Sequence, residues 1–388
     1  MIVDELRIVG STQTNVVMNA ELIRIARRAI QVRPPEPRKE GLGQLVYPFD
    51  RELARVATTY MRTPTRVVWD VYRSRATRLE PLYDDLIADI VKDTRELWRD
   101  GDGISVEARR VDDFAAGERQ IVGTVKNALI DAVAKRGVRL HVDPEHADTR
   151  WVVRLDEQNE LVVSIDLGGG SLSQRGWRRE AGDAPLREHL AAVLLMLARF
   201  DPRNDALVDP MCGAGTIPIE AVHLARATPR MIPTLRALGL ATVKPEPLYA
   251  DAAPLVVGCD LELDVLAAAR ANARAAGVAD AITWQRTDVA ELRPEMIAQI
   301  ARERGREPPA TGVILSNPPY GERLDEHDLS VLYRVIAETC QRFRGWRAAF
   351  LVGNPLLEQE FFHVLGKPRI KKPLANANLR AYFYLYEL

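Results

Sequence analysis

The stretch LVDPMCGAGTIPIEA, Leu207 to Ala221, decides how this chain is read. An apolar run ends in Asp209, turns through Gly213 and Gly215, and enters an amphipathic segment: strand, glycine turn, helix. Two glycines let a backbone approach a ligand closely, and the helix amino end offers unpaired N–H groups to a carboxylate or phosphate. The spacing is neither the GxGxxG of nicotinamide and flavin proteins nor the GK[ST] of a phosphate-binding loop. Asp209, Met211, Gly213, Gly215 and Thr216 are therefore candidate cofactor-binding residues of another kind.

Outward from this turn, short apolar runs alternate with amphipathic segments. Strands are predicted at Ala206–Val208, Leu255–Gly258, Ile282–Gln285, Gly312–Leu315 and Ala348–Val352, with a helix over Pro185–Ala198 before them. This alternation predicts an α/β, Rossmann-like, doubly wound sheet with helices on both faces and its chemistry at the carboxyl edge. Two further strand ends carry acids. Asp260 in VVGCDLE, with Glu262 as second choice, is placed to accept hydrogen bonds from ribose hydroxyls. Asp288, after ITWQRT, suits an adenine amino group or the cap of the next helix.

A fourth strand end carries SNPPYGERL, Ser316 to Leu324. Two prolines stiffen the backbone and leave nearby carbonyls without local partners, Asn317 supplies an amide oxygen and Tyr320 a flat face. An amino nitrogen conjugated to an aromatic ring is a poor nucleophile, because its lone pair is delocalised. If Asn317 and the Pro318 carbonyl accept its two hydrogens, the nitrogen is steered toward tetrahedral geometry and its lone pair is aimed at an electrophilic methyl. Positioning and charge complementarity then carry the transfer with no strong base and no metal. Asn317, Pro318 and Tyr320 are the candidate catalytic residues, Asn317 also touching the cofactor. Pro319, Tyr320 and Arg323 are candidates for holding the substrate.

The 388 residues, 47% hydrophobic and 28% charged, read as an ordinary globular protein of two or three domains. No apolar run approaches the roughly 20 residues needed to cross a bilayer. Asp4, Glu5 and Arg7 argue against a secretory signal, so the expected location is the cytoplasm. Cys212, Cys259 and Cys340 have no zinc or disulfide spacing and read as core residues. A formal net charge of −1 does not advertise a nucleic-acid binder. Local basic clusters occur at Arg175–Arg179 and Lys367–Lys372.

Before the glycine turn the pattern changes. Residues 1–63 hold a possible helix at Asn19–Ile30 and a proline-rich loop at Arg33–Gly43, with no chemical role assignable. Over residues 64–170 strands (Arg66–Val71, Ile104–Ala108, Trp151–Leu155, Leu161–Asp166) interleave with helices (Pro81–Trp98, Gly123–Lys135), a small α+β unit. Gly168-Gly169-Gly170 breaks the chain before residues 171–388.

DPMCGAGTIPIEA and NPPY resemble the motifs of class I methyltransferases that act on amino groups. With GGGSLSQRGWRREAGDAPLREHLAAVLL, NPPYGERL and the terminal NANLRAYFYLYEL, residues 66–388 resemble the THUMP-domain RNA guanine methyltransferases of ribosomal and transfer RNA. The resemblance implies S-adenosylmethionine as cofactor, 2-methylguanine as product and structured RNA (rRNA or tRNA) gripped by a THUMP-like domain at 64–170. It implies that Asp209, Gly213 and Gly215 hold the methionine part, Asp260 the ribose and Asp288 the adenine, with guanine at Asn317, Pro318 and Tyr320. Arg175, counted with the substrate-binding candidates, and Pro185–Glu188 fall where the family's preceding helix closes over the cofactor. There is no second glycine loop or second NPPY-like site, as a fusion of two methyltransferases would have. The alternatives are amino-group methylation of adenine or of a protein glutamine, and a non-catalytic RNA-binding assembly factor. Oligomeric state is not legible.

Overall fold

The computed structural model describes residues 1–93, 97–179, 186–241, 244–321, 325–376 and 379–388, with backbone alone at 91–93, 375–376 and 379. The chain forms two compact units. The first comprises residues 1–10, 18–172 and 229–245, the second residues 11–17, 173–228 and 246–388.

The first unit is built on strands β1 (Ile2–Val9), β2 (Arg38–Glu40), β3 (Gln44–Pro48), β4 (Arg66–Ser74), β5 (Gly103–Arg109), β6 (His141–Val142), β7 (Thr149–Leu155) and β8 (Leu161–Asp166). They form one sheet in the order β2-β3-β1-β4-β8-β7-β5-β6, parallel only where β5 meets β6 and β7. The helices are α1 (Asn15–Ala29), α2 (Arg51–Tyr60), α3 (Leu79–Asp93) and α4 (Glu118–Ala134). Residues 1–63, given no structure beyond one helix by the sequence, thus supply three strands of this sheet, β1 pairing directly with β4. The reason is visible in β1. Leu6 and Ile8 enter the core, while Arg7 between them is 1% exposed and bonds Asp70 at 2.8 Å. Arg154 donates to the same Asp70 oxygen at 2.8 Å, Ser164 to the other at 2.6 Å, and Glu40 and Gln44 complete the Arg7 site. These charges form a buried ion-pair network around Asp70.

The second unit begins, after the two segments at its start, with α5 (Glu188–Leu197), β9 (Asp205–Asp209) and α6 (Thr216–Arg226). The chain then passes through α7 (Pro233–Ala237) in the first unit. It returns for β10 (Leu255–Asp260), α8 (Leu263–Ala275), β11 (Ile282–Arg286), α9 (Pro294–Glu303), β12 (Thr311–Ser316), α10 (Glu326–Gln341), β13 (Arg347–Val352), α11 (Leu356–Leu365), β14 (Ile370–Asn376) and β15 (Leu379–Glu387). The sheet order is β11-β10-β9-β12-β13-β15-β14, with the first five strands parallel and β15 antiparallel to both neighbours. This is the Rossmann-like sheet expected. The antiparallel pair β14–β15 was not anticipated from the sequence.

Alternate residues of the four inner parallel strands, β9, β10, β12 and β13, enter two separate cores. Leu207, Val256, Val313 and Leu351 pack under α5, α6 and α8, whereas Val208, Val257, Ile314 and Phe350 pack under α9, α10 and α11. A strand buried on both faces must be apolar at every position, which is why these strands read as unbroken hydrophobic runs. Helix ends follow local chemistry. Asp325 caps α10 by accepting from Asp328 N at 2.9 Å, and a proline opens α9.

Asp70→Ala leaves Arg7 and Arg154 buried without their shared carboxylate and is expected to destabilise the first unit by about 3–5 kcal/mol. Urea unfolding followed by tryptophan fluorescence checks this. An unchanged midpoint would show that the network carries no stability.

Candidate active site

The strand order of the second sheet reverses between β9 and β12, the place where doubly wound sheets open a crevice for ligands. β9 brings Asp209 and the glycine turn to this edge; β12 brings Ser316 and Asn317-Pro318-Pro319-Tyr320. One side-chain contact joins the two strand ends: Ser316 Oγ donates to Asp209 Oδ1 at 2.8 Å, with both residues buried. Met211 N donates to the same oxygen at 3.3 Å. Burial pushes the Asp209 carboxyl up to about 7, overriding these hydrogen bonds, and the neighbouring Asp260 adds to the rise.

β10 shapes the turn that leaves β9. Cys212 N donates to Cys259 O at 2.8 Å, and Gly213 N donates to Asp260 Oδ2 at 3.0 Å. Gly213 and Gly215 take φ of 52° and 82°, the left-handed region that disfavours other residues. A Cβ at Gly213 would meet nothing within 4 Å, so its backbone lies open; at Gly215 it would stand 2.8 Å from the Trp284 ring. Open backbone beside the start of α6, where Thr216 is the first residue, fits a ligand carrying a carboxylate. The thiols of Cys212 and Cys259 are raised by burial and inert, the latter to about 12.

Asp260 is half-buried, while Glu262 and Asp288 are exposed at the adjoining strand ends. Glu262 N donates to Asp260 Oδ1 at 3.2 Å. Of the two roles weighed for Asp288, the structure displays the cap: Oδ1 accepts from Ala290 N at 2.9 Å at the head of the short 3-10 turn Val289–Glu291.

The Asn317–Tyr320 segment is held from behind. Tyr333 of α10 donates to the Pro319 carbonyl at 2.7 Å, and Asn354 Nδ2 donates to the Tyr320 carbonyl at 3.1 Å. The Tyr320 hydroxyl donates to Asn317 Oδ1 at 2.7 Å, fixing the amide oxygen. Pro318 is buried and Pro319 exposed. Gly353 makes room for the Tyr320 ring, which would lie 3.2 Å from a Cβ there. Arg323 lies outside the described residues, as does Pro185.

Arg175 lies in the interior: its side chain is 2% exposed and faces Glu220 of α6 at 3.5 Å. Arg178 in the same cluster is also internal: it bonds Glu188 Oε1 at 3.1 Å, the Leu186 carbonyl at 2.8 Å and Thr216 Oγ1 at 3.2 Å. Its Nη1 is buried with no hydrogen-bond partner among the described residues. Lys371 of the second cluster pairs with Glu358 and lies over the Tyr382 ring.

Asn272, Ser316 and Trp284 are given no role by the sequence, and Arg178 none beyond membership of a basic cluster. Buried Asn272 of α8 accepts from Arg179 N at 2.8 Å and donates to the Ala214 carbonyl at 3.0 Å, fastening the glycine turn to the preceding segment. Only a polar residue on the apolar stripe of α8 marked it. Among the described residues no group of three His, Cys, Asp or Glu side chains is placed to hold a metal ion, and no helix is long and apolar enough to cross a membrane.

The raised Asp209 carboxyl has a consequence for stability. Because its folded value lies above its unfolded one, its protonated form stabilises the fold below about pH 4, and that contribution is lost as pH rises through about 7. Asp209→Asn keeps an acceptor oxygen and cannot ionise. It is expected to gain roughly 2–4 kcal/mol on the wild type between pH 4 and pH 8, read by thermal unfolding without ligand. A constant difference across that range would contradict the assignment.

Comparison with known proteins agrees with this geometry. Residues 175–371, just over half of the chain, match the UPF0020 family model, described as RMKL-like, methyltransferase domain. A ribosomal RNA large subunit methyltransferase K/L of Aeromonas hydrophila is 35% identical over 60% of this chain and 35% of its own length. The protein of that name from Alteromonas mediterranea is 30% identical over 85% of this chain and 47% of its own. The chain thus spans about half or less of these curated relatives. Among solved structures, SMU.472 in complex with SAH superposes with a TM-score of 0.78 at 23% identity, over 99% of this chain and 98% of that one, which shows a shared fold. With a glycine turn and an NPPY segment at the switch point of a Rossmann-like sheet, and a family match that spans both, the chain belongs to the UPF0020 family and carries its methyltransferase domain.

Proposed function

We propose that this protein transfers a methyl group from S-adenosylmethionine to the exocyclic 2-amino group of a guanine in RNA, with large-subunit ribosomal RNA the favoured substrate. The observation that carries the reading is Asn317-Pro318-Pro319-Tyr320 at the end of β12, beside the glycine turn of β9. The names of the relatives, which methylate ribosomal RNA, support the substrate, and the SAH held by SMU.472 supports the cofactor.

When bound, the cofactor supplies a sulfonium methyl, transferred in line as its carbon–sulfur bond breaks and a carbon–nitrogen bond forms. The chain's own residues set the stage. Met211 and the backbone at Gly213, Gly215 and Thr216 receive the methionine part, with Arg178 Nη1 the nearby charge for its carboxylate. Asp260, with Glu262 beside it, accepts from the ribose, and Asp288 faces the adenine. Asn317 Oδ1, already oriented by the Tyr320 hydroxyl, and the Pro318 carbonyl accept the two amino hydrogens. Tyr320 and Pro319 bound the plane of the base, with Arg323 a further substrate contact, and the surplus proton leaves to water. A guanine within a helix must be extruded to reach Tyr320. The first unit serves as a THUMP-like RNA-binding domain around residues 64–170, and the enzyme works in the cytoplasm.

Incubation of the protein with labelled cofactor and, in parallel, total RNA, DNA or release factor tests this reading. Label is expected in RNA as 2-methylguanine; label confined to DNA or to protein would overturn it. Asn317→Ala is expected to lower turnover by about 10²-fold or more while leaving cofactor affinity, measured by calorimetry, within about twofold. Unchanged turnover would remove Asn317 from its role.

A further inference from the structure

Between α6 and β10 the chain leaves the second unit, and residues 229–245 become part of the first. This insert is fastened there. Arg230 donates from its backbone N to the Thr59 carbonyl at 2.9 Å and from Nη2 to the Thr58 carbonyl at 2.7 Å. Gly169, at φ 66°, comes so near Thr234 that a Cβ would stand 2.9 Å from its hydroxyl. Where the insert meets the loop before β5, a cavity of about 520 Å³ opens, lined entirely by residues of the first unit.

Three arginines line it, Arg99, Arg230 and Arg236, against a single carboxylate, Asp148. Asp148 is already engaged, accepting from Gly103 N at 2.8 Å. Arg99 and Arg236 are exposed, and among the described residues neither forms an ion pair. Arg99 reaches over the insert, its Nη2 4.0 Å from the Cβ position of Gly239. Between the charges the lining is apolar: Met231, 62% exposed, and the half-buried Ile232. A chain of net charge −1 therefore concentrates positive charge around an apolar floor of pocket size.

We propose that this cavity seats one unstacked nucleotide of the RNA, away from the guanine that is methylated. A guanidinium fork matches the paired oxygens of a phosphodiester as it does those of a carboxylate, and the apolar surface between the charges favours a ligand that brings a base face with its anion. Met231 is an adaptable surface for the face of a base, and single-stranded RNA is held in general by this pairing of backbone charge with base-face contact. The inference rests on the RNA reading above and adds a second contact, built by the insert from the methyltransferase half of the sequence.

The test is equilibrium binding of the full chain to fluorescently labelled transcripts of large-subunit ribosomal RNA across a salt series. R99A/R236A is expected to lower affinity tenfold or more and to reduce the slope of log affinity against log salt by about 1 to 2. M231E is expected to weaken binding as well, and R99K/R236K to recover part of the loss. Cofactor affinity should be unchanged in all three, as should RNA binding of the control R33A/R75A, which removes exposed arginines elsewhere in the first unit. Wild-type affinity and salt slope in both R99A/R236A and M231E would overturn the proposal, as would an equal loss in the control. Retained RNA binding with lost binding of a polyglutamate peptide would overturn it in favour of an acidic protein partner. If the wild type methylates RNA and R99A/R236A does so with unchanged KM, this inference alone fails; if label never enters RNA, the functional reading fails first.

Discussion

The hydrogen bond from Ser316 Oγ to Asp209 Oδ1, 2.8 Å long and fully buried, ties together the two strand ends between which the sheet reverses. Everything proposed for the site hangs on it. The glycine turn follows Asp209 and the Asn317–Tyr320 segment follows Ser316, so this contact extends the β9–β12 ladder to the point where the two segments diverge. The charged form of that carboxyl is disfavoured, because Asp209 is buried and Asp260 lies close by. Burial makes the charged form costly to hold and pushes this carboxyl up to about 7. Sites that must present fixed acceptors to a ligand accept strain of this kind.

Around that contact the packing enforces the turn. Trp284 of β11 occupies the space that a Cβ at either Gly215 or Gly258 would need, coming within 2.8 Å and 2.6 Å. The indole therefore acts as a flat wall between β10 and the start of α6, and glycine at both positions is a steric demand. Asn272 closes the arrangement from α8, and Arg178 does so from the segment before α5. Geometry at the cofactor loop is thus fixed from three directions by residues that are not themselves expected to touch the reacting atoms.

Where local pattern coincides with tertiary role, the sequence is legible. Strands β9, β10, β12 and β13 are buried on both faces and so are apolar through their interiors; glycines, acids and prolines stand at their ends because the backbone turns there. The four strand ends and the α/β class follow from that. Strand β1 escaped because Arg7, paired with Asp70 and Glu40, puts a charge in the middle of it. The surroundings of Arg175 and Arg178 are not legible, since nothing in a single sequence reveals that Glu220 and Glu188 lie opposite them. Asp288 carries both a cap and a proposed ligand role, and only the cap is determined by neighbouring residues. The division of the chain was least legible, because residues 229–245 return to the first unit after the second has begun, and no composition shift marks the crossing.

The site chemistry and the substrate class come from different evidence. Transfer to an amino nitrogen is proposed from Asn317, Pro318 and Tyr320 in their positions; ribosomal RNA is proposed from the names of relatives of which this chain spans about half or less, and guanine from the resemblance of residues 66–388 to RNA guanine methyltransferases. One measurement addresses both together: quantitative mass spectrometry of nucleosides from ribosomal RNA of a strain lacking the protein, compared with the same strain complemented by wild type or by Asn317→Ala. In the deletion strain 2-methylguanosine is expected to fall by one residue per ribosomal RNA, to return with wild type and to stay absent with Asn317→Ala. An unchanged 2-methylguanosine content in the deletion strain, with loss of a methylated adenine or of methylglutamine instead, would contradict that expectation.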